Sequence, residues 1–263
     1  MTVLALDLAA RTRAALGWWM LGILGMAAYA VFAYETLSGL EELSRLYEEY
    51  PPAVRKLFGE VDIGTLNGWI QVEIVSYVPL LLAIYAGIFA AGSISREVEQ
   101  RTVDFILGLP ISRTRFILSR LVVGLWNIFA ICLGVFAVLV VGVAIIGHTP
   151  SAGNYALALA NAFLLSAALL AAFVAVAAAV DEQARVTGIT LGLTLVLYIL
   201  TGALKATDAP EAVRWFMPFE HYHSAEAMTR GSLPLLPLLL LPAATLAAGA
   251  AAIYWYNRRD IAI

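Results

Sequence analysis

The segment Glu220-His221-Tyr222-His223 contains the residues of this sequence best suited to bind a metal ion. Imidazole and carboxylate groups are ordinary zinc ligands, and a zinc site needs three or four of them. At positions i and i+2 the two histidines diverge on a helix, although a strand or a turn could bring them together. The remaining histidine is His148, and the single cysteine, Cys132, lies in an apolar run. We therefore predict no metal site.

The sequence also lacks the motifs expected of a nucleotide-binding protein or an enzyme. Lys56 and Lys205 are the two lysines, and neither follows a glycine in the GxxxxGK pattern that cradles phosphates. Glu35 and Glu73 show no catalytic spacing with the histidines. The net charge of −3 gives no basic field for nucleic acid. We predict that the chain is not an enzyme, has no cofactor of its own and binds no nucleic acid.

The segment from Ser95 to Arg113 combines charge with a helical apolar pattern. Apolar positions recur at i, i+4, i+7, i+8 and i+11, which predicts an amphipathic helix that ends at Pro110. The members of this apolar face are Val98, Thr102, Phe105, Ile106 and Leu109. Ser112 is suited to cap a second helix that starts at Arg113 and continues into the next apolar run. Such a charged hairpin either lies on the membrane surface or docks into a soluble partner.

The chain around these segments is too apolar to fold in water. Of its 263 residues 62% are hydrophobic and 13% charged, against about 45–50% and about 25% in soluble domains. A helix that crosses the hydrocarbon core needs roughly 20 apolar residues. Six segments meet that requirement: 17–37, 70–92, 121–147, 155–180, 186–204 and 233–256. We predict an all-α polytopic membrane protein with six transmembrane helices, forming a single domain over residues 1–263.

Basic and aromatic residues predict how the spans are bounded and oriented. Ten arginines flank one side of the predicted bundle and six basic residues the other, so the positive-inside rule places both termini and residues 93–120 in the cytoplasm. The pattern of residues 3–16 predicts an amphipathic helix along the cytoplasmic interface. Aromatic residues typical of membrane interfaces stand at the span ends, namely Trp18, Trp19, Trp69, Trp255 and Tyr256. The outer segment 38–69 either gates the bundle or caps it, and the sequence does not determine whether 38–69 or 205–232 gates or binds anything.

The hairpin sequence resembles the cytoplasmic loop of ABC-2 type transporter permeases, the membrane subunits of many ATP-binding-cassette exporters. The residues that carry this resemblance are Glu97, Glu99, Thr102, Leu107, Pro110, Ser112 and Arg113. Arg101 stands where glycine is commoner in that family. Pro218-Phe219 followed by Gly231, and the closing Asn257-Arg258-Arg259-Asp260, add to the similarity.

The resemblance implies a permease subunit whose cytoplasmic coupling helix, between the second and third spans, sits in a groove of an ATPase subunit. The ATPase-coupling residues would then be Glu97, Val98, Glu99, Arg101, Thr102, Phe105, Ile106, Pro110, Ser112 and Arg113. Two ATPase copies would bind ATP and Mg²⁺, and two permease copies would form an export pathway in the inner (plasma) membrane. Gly188 and Gly192 form a GxxxG pattern in the fifth span, which favours close helix contact with the second copy.

Two alternative functions stay open at this point. An ATP-independent transporter would place ionisable residues inside its spans as relays or ion ligands. The polar residues there are uncharged, namely Asn127, Asn161, Thr190 and Thr194. A membrane assembly subunit without transport activity is the other alternative, and it would have no ATPase partner.

Overall fold

The computed structural model describes residues 2–36, 49, 61–95, 112–207 and 209–258. Within these ranges six helices are long and apolar enough to cross a membrane, and there is no strand. We call them the first to sixth spans: Thr2–Thr36, Leu66–Ser95, Arg113–Ile145, Ala152–Ala179, Gln183–Ala206 and Leu235–Arg258. Each predicted span overlaps one of these helices, so the prediction of an all-α protein with six spans is confirmed.

The first span corrects the prediction of a separate interfacial helix over residues 3–16. Those residues continue into the membrane segment as one helix of 35 residues. At 1.5 Å per residue it is about 52 Å long, well beyond the hydrocarbon thickness of about 30 Å. The N-terminal part is rich in alanine and contains no proline, so nothing in its sequence interrupts the backbone hydrogen bonds.

The second span is an α-helix interrupted by two π-helical turns, Gln71–Val75 and Ala91–Ser95. Pro79 lacks the amide hydrogen that would otherwise bond to the Val75 carbonyl one turn earlier. The hydroxyl of Tyr222, from the segment between the fifth and sixth spans, donates to that carbonyl at 2.7 Å. A distant residue therefore satisfies the backbone group that the proline leaves open.

The first and third spans run parallel, so both begin at the same end of the bundle. A methyl group added at Gly134 would lie 3.1 Å from Leu24, and one added at Gly142 would lie 3.2 Å from Val31. The sixth span ends where the third begins, because Arg113 reaches the Tyr256 carbonyl. The fourth span packs against the second, third and sixth and lies at the centre.

Different segments of the chain form the two ends of the bundle. The hairpin end consists of residues 91–95, 112–120, 177–183 and 254–258, from which the predicted hairpin departs. The cavity end consists of residues 61–79, 146–155 and 198–230. Two short helices, Glu211–Arg214 and Ser224–Arg230, and the 3₁₀ turn Pro218–His221 belong to the cavity end.

Two of the aromatic residues predicted at the membrane interface are buried. Trp69 is 8% exposed, and its indole donates to the Ala30 carbonyl at 2.7 Å. Tyr256 is fully buried and stacks on Phe116 with a centroid distance of 5.3 Å. Both residues stand at span ends, as predicted, but neighbouring spans cover them, whereas Trp18 is 74% exposed.

Candidate functional site

Most of the predicted coupling residues lie outside the described part of the chain. These are Glu97, Val98, Glu99, Arg101, Thr102, Phe105, Ile106 and Pro110. Ser112 and Arg113 are described, and so are the residues on which the hairpin is mounted. The structure therefore defines the base of the predicted coupling segment.

The hairpin leads directly into a capped third span. The Ser112 hydroxyl accepts a hydrogen bond from the Arg115 amide at 3.3 Å, which confirms Ser112 as the N-cap. The Arg113 guanidinium donates to the Tyr256 and Asn257 carbonyls at 3.5 and 3.4 Å. A cation at these last carbonyls of the sixth span complements the helix dipole. The start of the third span is thereby joined to the end of the sixth.

Arg120 joins the third span to the second. It is 2% exposed, and its Nε donates to the Ser93 carbonyl at 3.2 Å. Its Nη1 donates to the Ser119 hydroxyl at 2.9 Å, and the guanidinium lies 3.8 Å from the centre of the Phe116 ring. In the sequence alone Arg120 is one of the ten arginines that flank the predicted spans. Its position one helical turn after Phe116, beside Leu121, was the available sign that it faces the bundle.

Ser95 joins the second span to the fourth. Its hydroxyl donates to the Val180 carbonyl at 3.1 Å, with the Ala177 carbonyl at 3.5 Å. These carbonyls belong to the last turn of the fourth span, where intrahelical partners run out. Residues 96–111 therefore start and finish at points fixed to neighbouring spans.

A cavity of about 640 Å³ lies at the cavity end, between the second span, the fifth span and residues 219–226. Its volume is within the range of about 300–1,000 Å³ that is typical of small-molecule sites. Small, aliphatic and aromatic residues form the wall, with polar and charged groups among them. The aromatic, amide and ionisable lining residues are Gln71, Tyr77, Tyr198, Lys205, Phe219, Tyr222, His223 and Glu226.

Amide side chains fix the cavity wall to the spans. Asn161 donates from Nδ2 to the His221 carbonyl at 3.1 Å and accepts the His223 amide hydrogen at 2.8 Å. Gln71 is 2% exposed and donates from Nε2 to the Ser224 hydroxyl at 2.8 Å. The other amide atom of Gln71, Oε1, has no hydrogen-bond partner among the described residues. Asn161 stands out in the sequence as an intramembrane polar residue, whereas Gln71 does not.

The two histidines of the Glu220–His223 segment point to different partners. His221 Nε2 lies 2.9 Å from the Trp215 carbonyl, and His223 Nδ1 lies 3.9 Å from Glu226 Oε1. Burial lowers the pKa of His223 below its ordinary value. Glu220 is 3.4 Å from Lys205 and 3.2 Å from Arg214. In the described ranges no three His, Cys, Asp or Glu residues gather as metal ligands would.

The glycines of the fifth span face away from their own bundle. A methyl group added at Gly188 or Gly192 would meet no atom of the described residues within 4 Å. The same face continues with Leu195 and Ile199, which are 47% and 67% exposed. On the opposite face Thr190 approaches Gly87 so closely that an added methyl group there would lie 2.6 Å from the threonine oxygen. The GxxxG pattern is therefore available to a neighbour outside the protomer.

Six apolar spans and the buried polar joints between them define a multi-pass helical membrane protein. The sequence matches the family model described as "ABC-2 family transporter protein" over residues 1–261. The chain belongs to this family and is a membrane permease of an ABC transporter, a class that works with an ABC ATPase. The resemblance found in the hairpin sequence is thereby confirmed. No curated protein matches the sequence significantly.

Proposed function

We propose that two copies of this permease form an export pathway in the inner (plasma) membrane, driven by two copies of a separate ATPase subunit. The ATPase subunits bind the ATP and Mg²⁺, and this chain, a single transmembrane domain over residues 1–263 with both termini in the cytoplasm, supplies the pathway. The observation that carries the proposal is the set of joints at the hairpin end. They connect the base of the hairpin to four of the six spans.

The joints give a physical route from ATP-driven closure to movement of the spans. The hairpin would dock through Val98, Phe105 and Ile106, with charged residues around this anchor as a polar rim. Ser95 ties one base of the hairpin to the fourth span, and Arg113 ties the other to the sixth. Arg120 links the second and third spans directly. A displacement of the docked hairpin would therefore move packed helices together instead of bending a loose connection.

Replacing Phe105 by aspartate tests the coupling role. A carboxylate in an apolar groove is costly to desolvate, so we expect Phe105→Asp to reduce the amount of substrate transported per ATP hydrolysed by more than about tenfold. The measurement is transport and ATP hydrolysis by the permease reconstituted with the ATPase that copurifies with it. Phe105→Leu keeps the apolar contact and serves as the control. Unchanged ATP-driven transport by Phe105→Asp would refute the anchor, and transport by the permease alone would refute the ATPase requirement.

Cysteine cross-linking tests the proposed dimer contact. In a Cys132→Ser background, Gly188→Cys and Gly192→Cys should each form a disulfide between two copies in the membrane, because small residues allow close helix approach. Gly22→Cys, on the first span, is the matched control, since an added methyl group at Gly22 also meets no atom within 4 Å. Cross-linking at Gly22 with none at Gly188 and Gly192 would move the contact away from the fifth span.

A further inference from the structure

The cavity at the cavity end contains a buried hydrogen-bond acceptor that the protein leaves open. Gln71 lines the cavity, its amide nitrogen is engaged by Ser224, and its Oε1 has no partner. A buried acceptor without a donor destabilises the folded protein. A ligand that brings an N–H or O–H group to Gln71 Oε1 would remove that cost.

A carboxylate lies in the same wall. Glu226 follows Ser224 by two residues in the helix Ser224–Arg230 and lines the cavity. Its ion-pair neighbour among the described residues is His223, at 3.9 Å. Burial lowers the pKa of His223, so this imidazole is neutral at neutral pH and does not form a charged pair with Glu226.

The basic residue of the cavity is already engaged. Lys205 Nζ lies 3.4 Å from Glu220, which Arg214 also contacts at 3.2 Å. Aliphatic and small residues make up most of the remaining wall, together with the rings of Tyr77, Tyr198 and Tyr222, and tyrosine rings can attract organic cations. One open acceptor, a carboxylate and tyrosine rings favour the same type of ligand.

We propose that this cavity binds an organic amine, with the protonated nitrogen at Gln71 and Glu226 and the apolar body against the tyrosine rings. The binding requires neither ATP nor the ATPase, so it goes beyond the proposed coupling function. A cationic head group explains why an acceptor amide and a carboxylate share one wall. The apolar body matches the aromatic and aliphatic residues in the rest of the wall.

Three probes of matched shape and different charge test the proposal: 4-phenylbutylamine, 4-phenylbutan-1-ol and 4-phenylbutanoate. Their binding to the purified full-length permease in phosphatidylcholine nanodiscs is measured by equilibrium dialysis at neutral pH, with empty nanodiscs to subtract partition into lipid. We expect saturable binding of the amine, at least about tenfold tighter than that of the alcohol, because hydrogen bonds to a charged group are stronger. The carboxylate should bind weakest.

Two variants separate the contributions of the two acceptors. Glu226→Gln should weaken amine binding about tenfold and leave alcohol binding unchanged, because only the amine carries a charge. Gln71→Leu should weaken both, since both probes donate to Oε1. Glu226 is 43% exposed, so its variant does not depend on refilling a buried site. Glu211→Gln, a change of an exposed carboxylate outside the cavity, should leave all three affinities unchanged.

Two results would contradict the proposed amine site. Tighter binding of 4-phenylbutanoate than of the amine would make the cavity an anion site at Lys205. Amine binding that Glu226→Gln leaves unchanged would remove the carboxylate from the site. Because the assay uses the permease alone, either result leaves the coupling proposal intact, and unchanged transport by Phe105→Asp leaves the amine site intact.

Discussion

Polar side chains link neighbouring helices at both the hairpin end and the cavity end, but only the cavity end places such side chains beside the cavity. At the hairpin end Ser95, Arg113 and Arg120 each donate to a main-chain carbonyl of another helix. At the cavity end Asn161 and Tyr222 also bond to distant backbone, yet Gln71 keeps an acceptor without a partner beside a cavity of about 640 Å³.

The acceptors at both ends are carbonyls that the helices themselves cannot satisfy. Val180 and Tyr256 stand at helix C-termini, where intrahelical donors run out. Val75 loses its donor to Pro79. Side chains that hydrogen-bond to these carbonyls fix the position of each span relative to its neighbour. The cavity end differs because Gln71, whose Oε1 finds no hydrogen-bond partner among the described residues, also lines a cavity.

The largest effect on stability and transport is expected from removing the Arg120 hydrogen bond between the second and third spans. Arg120→Met removes the charged hydrogen bond to the Ser93 carbonyl and should lower the free energy of unfolding by about 1–3 kcal/mol. It should also lower the transport achieved per ATP hydrolysed. Thermal unfolding in detergent and the reconstituted transport assay measure the two effects.

Arg115→Met is the matched control, because Arg115 is exposed on the same helix. It should leave both quantities unchanged. If Arg120→Met behaved like this control, the hairpin end would not depend on its buried joint and the contrast between the two ends would disappear.

A double-mutant cycle tests whether Tyr222 replaces the donor that Pro79 removes. Tyr222→Phe should lower the free energy of unfolding by about 1–2 kcal/mol, because it leaves the Val75 carbonyl unpaired. In a Pro79→Ala background the restored amide hydrogen can bond to that carbonyl, so the same change should cost much less. Thermal unfolding of the four proteins gives the coupling, and additive effects would contradict it.

The smallest effect concerns His223 at the cavity end. Burial lowers the pKa of this imidazole below the unfolded value of about 6.5, so the unfolded chain takes up the proton first as the pH falls. Stability should therefore decrease from about pH 7 through the interval below 6.5, and less so in His223→Gln. Unfolding temperatures at about pH 7.5 and about pH 5.5 give the comparison. An identical pH dependence in both proteins would show that His223 titrates as it does in water.

Sequence patterns were sufficient for the spans and the family but not for the contacts. The number and approximate positions of the spans followed from apolar length, although the first helix begins at Thr2 instead of residue 17, and the N-cap at Ser112 followed from local chemistry. The burial of Trp69 and Tyr256 could not be predicted, because an aromatic residue at a span end looks the same whether lipid or another helix covers it. Arg120 and Gln71 were missed because burial of a single polar residue depends on the helices packed around it.

The sequence by itself determined that this chain crosses the membrane six times with both termini at one end. In the hydrocarbon core every backbone N–H and C=O group must be hydrogen-bonded within the protein. A run of about 20 apolar residues therefore predicts a transmembrane helix. Only the tertiary structure decided that Tyr222 completes the second span, that the GxxxG face of the fifth span points outward, and that a cavity stays open beside Gln71. These features join residues far apart in the chain, and no local pattern encodes which faces of the helices meet.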